Sequence, residues 1–320
     1  MRFIPTLLTT DDLGTVRRRA SGYHSAAAAG ALVRVRPGVF ADEGEWSRAR
    51  PEGRVIARAR ALTLTSAETP VISHESAAAM HGLPLFRPHP THLHISLGEG
   101  RPGRALATIR HRARLRDDEV IEIDGSRVTS LARTVADVAR TADFEQAVVI
   151  ADAALRHVGG ARPGPEHPAR AEEFRREVLT IASRSAHGFS RARRVMRFAD
   201  GRAHLPGESI SRIRLIELGF RRIVLQERVS APDGRDYWVD FAVGGGEEAW
   251  LGEFDGGIKY TDPDILRGRA PRQVIDEEKQ REDWIRGIRQ CAFVRWGWSD
   301  IASPDALAAR LRAFGIRPPA

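Results

Sequence analysis

Cysteine is almost absent from this chain of 320 residues: Cys291 is its single thiol, which excludes an intramolecular disulfide and any zinc site built from several cysteines. Ala292, Phe293 and Val294 follow it, so the sequence marks it as a buried strand residue and not as a catalytic thiol. Long apolar runs are missing too, and with them any helical segment able to span a bilayer. The opening stretch, MRFIPTLLTTDDL, has a short apolar run broken by Pro5 and followed by acids, which is not the pattern of a signal peptide. A soluble, cytoplasmic protein without a membrane partner is the expectation.

Lysine is scarce as well. The 50 Lys and Arg outnumber the 42 Asp and Glu, for a net charge of +8 and a pI near 10.6, and almost all of those cations are arginine. The planar guanidinium suits phosphate and base edges, so the balance points to nucleic acid. Genomes of high GC content enrich arginine without any function, and composition alone does not decide the matter. The length exceeds one comfortable core, so two or three domains are expected.

The stretch from Asp236 to Tyr260 carries the densest chemistry. It reads as two strands, Tyr237 to Val243 and Ala249 to Asp255, reversed at Gly244-Gly245-Gly246-Glu247, where glycines permit the positive φ of a tight turn. Strand alternation puts Glu253 and Asp255 on one face and Phe254 on the other. Asp240 lies between Val239 and Phe241, and a carboxylate among apolar residues is costly unless something cationic meets it. Hard divalent cations take oxygen ligands, so Asp240, Glu253 and Asp255 are candidate ligands for Mg²⁺ or Mn²⁺.

Glu208, Asp240, Glu253-Phe254-Asp255-Gly256 and Lys259-Tyr260 together resemble the PD-(D/E)XK nuclease superfamily in its very-short-patch-repair (Vsr-like) branch. The resemblance runs from Pro206-Gly207-Glu208-Ser209 to Trp298-Ser299-Asp300-Ile301. It implies a restriction-endonuclease-like α/β domain with a mixed sheet, acids that hold the metal, and a lysine that activates or stabilises the attacking water. Carried onto this chain, the catalytic set is Glu208, Asp240, Glu253, Asp255, Lys259 and Lys279. The residue two after Glu253, where the superfamily usually has its lysine, is Asp255, so Lys259 or Lys279 would have to substitute.

At the other end, Thr9-Thr10-Asp11-Asp12 reads as a helix start with a threonine N-cap and acids in the first turn. A turn at Ser21-Gly22 and a second short helix to Ala29 follow, then Leu32 to Arg36 as a strand with Arg34 and Arg36 on one face, and a Pro37-Gly38 turn into Val39-Phe40. Helix, turn, helix and basic hairpin are the order of a winged helix. The run Gly30 to Phe40, then Ser73-His74-Glu75-Ser76-Ala77-Ala78 with His81-Gly82-Leu83-Pro84, then Val128 to Thr134 with Asp137, resembles the AbiEi family, antitoxins of type IV toxin–antitoxin systems. That resemblance implies binding of double-stranded DNA, autorepression, and a toxin partner encoded by a neighbouring gene. Tyr23, His24 and Ser25 are the candidate base readers, and Arg17, Arg18, Arg19, Arg34 and Arg36 the candidate phosphate or minor-groove contacts.

Between these ends the pattern alternates helices and strands without evident chemistry: an alanine-rich helix over Arg54 to Leu64, a Ser76-capped helix, and a helix from Leu131 to Ala139 capped by Thr129 or Ser130. From Pro206 onward the order reads helix, three strands, helix, strand, helix. His74 and His81 are read as packing or capping residues, and His92 and His94 share a strand face without an evident third ligand. Arg133 and Asp137, four apart on a helix, read as a surface ion pair. The fold class expected is multidomain α/β: a winged helix over residues 1–50, a mixed α/β middle domain with a helical linker over 51–204, and a nuclease-fold domain over 205–320. Two functions follow: a DNA-binding Mg²⁺-dependent endonuclease, or a non-catalytic antitoxin and autorepressor that keeps the nuclease fold for interaction.

Overall fold

The structure, a computed structural model, describes residues 3–10, 30–67, 70–98, 102–105, 107–160, 167–231, 234–246, 249–257 and 271–319. The chain divides into two compact units, Met1–Ala199 and Asp200–Ala320. The boundary expected at 204/205 falls beside this division, and the one expected at 50/51 falls inside the first unit. Of the sequence-predicted site residues, Arg17, Arg18, Arg19, Tyr23, His24, Ser25 and Lys259 lie outside the described residues.

The first unit opens with a small antiparallel sheet of β1 (Leu7–Thr9), β2 (Leu32–Arg36) and β3 (Val39–Asp42) in the order β1-β3-β2. Thr9 is thus the end of a strand. Val33 and Val35 pack, with Ile4 and Leu7, against a buried cluster of Ala41, Trp46 and Ala57. Arg34 is exposed and Arg36 half-buried, and the register slips between them. Trp46 belongs to α1 (Glu43–Arg48), which is capped by Asp42 accepting the Glu45 N–H at 2.9 Å. Ala57 belongs to α2 (Pro51–Thr65), a helix expected from its alanine-rich run.

A mixed six-stranded sheet follows, built from β4 (Val71–Ile72), β5 (Leu93–Leu97), β6 (Gly103–Ala105), β7 (Thr108–Arg112), β8 (Val120–Ile123) and β9 (Ser126–Thr129). Its order is β6-β7-β5-β4-β9-β8, with β4–β9 and β5–β7 parallel and the other pairs antiparallel. Between β4 and β5 lies α3 (His74–Met80), whose N-cap is Ser73. Ser76, the cap expected from sequence, instead accepts the His94 N–H at 2.9 Å and ties the helix to β5. Four helices complete the unit: α4 (Leu131–Thr141), α5 (Phe144–Gly159), α6 (His167–Ser183) and α7 (Phe189–Phe198). Arg133 and Asp137 on α4 are not at the surface; they are 7% and 1% exposed and joined at 2.8 Å. Arg133 also reaches the buried Glu119 at 2.8 Å, which sequence spacing alone does not reveal.

The second unit is α8 (Pro206–Glu217), β10 (Ile223–Ser230), β11 (Asp236–Val243), β12 (Trp250–Phe254), α9 (Pro271–Arg289), β13 (Phe293–Trp296) and α10 (Pro304–Arg312), the element order expected from the sequence. The sheet order is β10-β11-β12-β13, antiparallel except for β12–β13, which are parallel and joined through α9. Gly244 and Gly246 take φ of 84° and 63°, the left-handed values the reversal between β11 and β12 needs. On one sheet face Val229, Val239, Leu251 and Phe293 pack with Ile285 of α9. Phe241, Trp250 and Trp296 make a second buried aromatic group, and Trp296 donates from Nε1 to Ser211 of α8 at 2.8 Å.

Gly252 of β12 is what lets Trp296 lie flat on the sheet, because a Cβ there would collide with the indole ring. Gly252→Ala should therefore destabilise the unit by about 1–3 kcal/mol, the usual cost of overpacking a core. A urea titration followed by tryptophan fluorescence checks this, and an unchanged midpoint would mean that the ring can move aside.

Candidate functional site

The acids singled out by sequence sit where the second unit's strands separate. Register between β11 and β12 runs Val243 to Trp250, Ala242 to Leu251 and Phe241 to Gly252. At the next position Asp240 Oδ2 accepts the Phe254 N–H at 2.9 Å, taking the role a strand carbonyl would have. Its Oδ1 accepts from Gln226 Nε2 at 3.2 Å, and the same amide reaches Glu208 Oε2 at 3.2 Å. Glu208, only 2% exposed, also accepts the His204 N–H at 2.9 Å. Gln226 has φ of 53° inside β10, a left-handed conformation uncommon for a residue with a side chain. Asp240 and Glu208 are thus brought together through an amide that carries no signal in the sequence.

Glu253 goes elsewhere. It is 5% exposed and lies between two guanidinium groups: Arg281 of α9 binds Oε1 at 2.5 Å and Arg295 of β13 lies 3.1 Å from Oε2. Arg295 is its register partner across β12 and β13, and such directly opposite charges stabilise a sheet. Glu278 joins the group from α9, at 3.2 Å from Arg281 and 2.5 Å from Arg295. Arg295 shares a strand face with Phe293 on a short, otherwise apolar strand, a pattern that could have flagged it; Arg281 lies on a helix dense in charge and could not be singled out.

Asp255 falls past the end of β12, which stops at Phe254. Its Oδ1 accepts the Gly257 N–H at 3.0 Å. Lys279 is exposed on α9. Among the described residues the three acids do not form a group with donor atoms within 4.8 Å of one another. Both oxygens of Glu253 already face guanidinium groups, so as the described residues hold it Glu253 does not present a free carboxylate to a cation shared with Asp240 and Asp255.

A different cluster does gather donor atoms, and sequence reasoning missed it. His74, at the start of α3, His94 of β5 and His111 of β7 each offer a ring nitrogen within 4.8 Å of the others. His94 Nδ1 lies 2.9 Å from His111 Nε2, and the His74 and His111 rings stack with centroids 3.6 Å apart. His94 and Ser96 share a face of β5, and Ser96 is the register partner of His111. Burial, reinforced by the neighbouring His111 and His94, holds His74 well below its ordinary pKa. Burial likewise pushes His94 and His111 down to about 4. The trio is therefore neutral at neutral pH, and the 3.3 Å approach of His94 Nδ1 to Glu75 Oε2 is not an ion pair. The approach of His111 to His94 was not visible in the sequence because His111 enters from a parallel neighbour.

No family model matches the chain. Over 214 residues it is 30% identical to two proteins of Mycobacterium tuberculosis, "Uncharacterized protein MT2308" of strain CDC 1551 / Oshkosh and "Uncharacterized protein Rv2248" of strain ATCC 25618 / H37Rv, a span of 67% of this chain and 70% of each relative. The chain belongs to one family with these mycobacterial proteins. Their names print no activity, so function must be argued from this chain's own residues. No helix of the described residues is long and apolar enough to cross a membrane.

The Glu253 group makes a sharp stability prediction. Arg281→Met leaves a buried carboxylate with one of its two cations and should cost about 3 kcal/mol. Adding Glu253→Gln should recover part of that loss. Urea midpoints of the single and double variants check it; a double variant less stable than Arg281→Met would show that the arginine acts through packing alone.

Proposed function

We propose that this chain is a double-stranded-DNA-binding regulator of the AbiEi-antitoxin kind, in which a winged helix near the N-terminus contacts DNA and a nuclease-like C-terminal domain serves interaction and not cleavage. Support for the first part comes from the sheet order β1-β3-β2, with residues 11–29 between β1 and β2, which is the connectivity of a winged helix. The exposed Arg34 lies on the hairpin that would form the wing, beside the half-buried Arg36. These arginines position the protein on phosphate without specifying sequence.

One observation carries the choice against cleavage: Glu253, the acid at the centre of the nuclease-like motif, is neutralised by Arg281 and Arg295. Two fixed guanidinium groups supply the positive charge that a metal would supply, and they leave no open coordination position. Arginine keeps its charge across the physiological pH range, so this compensation is permanent. The element order of α8 to α10 supports a restriction-endonuclease-like scaffold, which such a protein can retain as a binding surface.

The second reading, Mg²⁺- or Mn²⁺-dependent hydrolysis of DNA, is favoured by the convergence of Asp240 and Glu208 on Gln226. One set of measurements separates the two. The protein should retard duplex DNA with an affinity that falls steeply with salt, and Arg34→Ala/Arg36→Ala should lower the slope of log K against log salt by about 2, one per lost phosphate contact. Supercoiled plasmid should stay intact with Mg²⁺, Mn²⁺ or EDTA. Nicking by the wild type that Asp240→Asn abolishes would replace the regulator by the nuclease, and an unchanged slope in the double variant would remove the wing from the DNA contact. Co-purification with the product of a neighbouring gene tests the toxin partner.

A further inference from the structure

The three histidines of the first unit stand apart from the DNA reading and ask for an explanation. Packing is a poor one. Setting three imidazoles side by side, His74 buried and His94 and His111 half-buried, takes polar ring nitrogens out of water, and a polar group so placed is costly without good partners. The partners found are few: His74 Nδ1 meets Ser73 Oγ at 3.0 Å, and His94 and His111 share a single contact. Apolar side chains would fill the same space without that cost. His74 also holds φ of 52°, a left-handed conformation that costs a residue with a side chain and tends to persist where a site requires it.

Two further polar atoms point to a missing ligand. Glu75 Oε2 is buried, lies 3.3 Å from His94 Nδ1, and accepts no hydrogen bond among the described residues. Ser96 Oγ, on the strand face that His94 occupies and in register with His111, is also buried without a partner. A ligand beside the histidines would satisfy Glu75 Oε2, and Ser96 Oγ lies on the same strand face. Access exists: His94 and Glu75 line a cavity of about 360 Å³, walled further by Phe86, His92, Asp143 and Gln146.

We propose that His74, His94 and His111 bind a divalent first-row transition metal, zinc foremost, with its fourth coordination position toward the cavity and Glu75 beside it. Neutral imidazole is the ligating form, and three histidines with one open position are a known arrangement for zinc. Ligands about 2.0–2.1 Å from a tetrahedral zinc are roughly 3.3 Å apart, a spacing bracketed by the 2.9 Å between His94 Nδ1 and His111 Nε2 and the 4.8 Å that bounds the trio. Nitrogen ligands exclude Mg²⁺ and Ca²⁺, which take oxygen. Glu75 Oε2, 3.3 Å from the His94 Nδ1 that also faces His111, sets a carboxylate beside the ligand atoms, within reach of a metal or of a molecule bound to it. The open position makes this a site that a small anionic or carbonyl-bearing ligand can reach from the cavity.

The test uses the full chain, stripped with chelator and titrated with Co²⁺ or Zn²⁺. One equivalent should bind, with the strong visible bands of four-coordinate Co²⁺ and a rise in melting temperature. His94→Gln and His111→Gln should each weaken binding at least about 10-fold and abolish the bands, since changes even outside the ligand set commonly cost 10–100-fold. His157→Gln, which removes an exposed histidine of α5 outside both the trio and the cavity, should bind like the wild type. The proposal is overturned if the wild type takes up less than half an equivalent or shows only the weak bands of six-coordinate Co²⁺. It is equally overturned if both glutamine variants bind as the wild type does. Should a variant fail to fold, the wild-type stoichiometry and spectrum decide alone.

Discussion

A carboxylate removed from water must be met by positive charge or hydrogen-bond donors, and three of this chain's buried carboxylates meet arginine. Glu253 lies between Arg281 and Arg295, Glu119 between Arg133 and Arg184, and Asp137 between Arg133 and Arg140. The first two groups tie together elements distant in sequence, a sheet to the helix that covers it in the second unit and the Glu119 turn to α4 and to the residue after α6 in the first, while the third braces α4 along its own length. The desolvation cost of such pairs is large, so they hold geometry more than they add stability. What they determine is that the interior of each unit closes in one way only.

The same constraint shapes the functional reading. An acid within an apolar strand demands a cation, and in a chain with two lysines and abundant arginine the candidates are a guanidinium or a metal. The strand pattern around Glu253 is identical in the two cases. Only the parallel pairing of β12 with β13, which sets Arg295 opposite Glu253, and the approach of α9, which brings Arg281, select the guanidinium. Asp240 shows the converse. It lies on the strand beside that of Glu253, yet its oxygens serve the Phe254 amide and Gln226, and through Gln226 it is joined to Glu208.

The histidines carry the lesson in the other direction. Ligand spacing is legible in a sequence when the ligands share one helix or one hairpin, as four-apart positions or alternate strand residues do. His74, His94 and His111 come from a helix start and two parallel strands, and a parallel pair has no short-range register signal because its strands are joined by a long connection. Their convergence arises from sheet topology, and no scan of spacing could have assembled it.

Much was nonetheless determined by the sequence alone. Local periodicity and turn chemistry act within a few residues, so the alternating strands β10 to β13, the glycine reversal after Val243, the Ser130-capped helix α4 and the element order of the second unit were all readable. So was the absence of a membrane-crossing helix among the described residues. What only the tertiary structure decided were the pairings between distant segments: that Arg133 and Asp137 are buried and not at the surface, that Ser76 holds β5 and does not cap its helix, that Glu253 faces two arginines, and that three histidines meet. Each depends on which element packs against which, and that choice follows from burial summed over a whole unit, a quantity no local window of the chain contains.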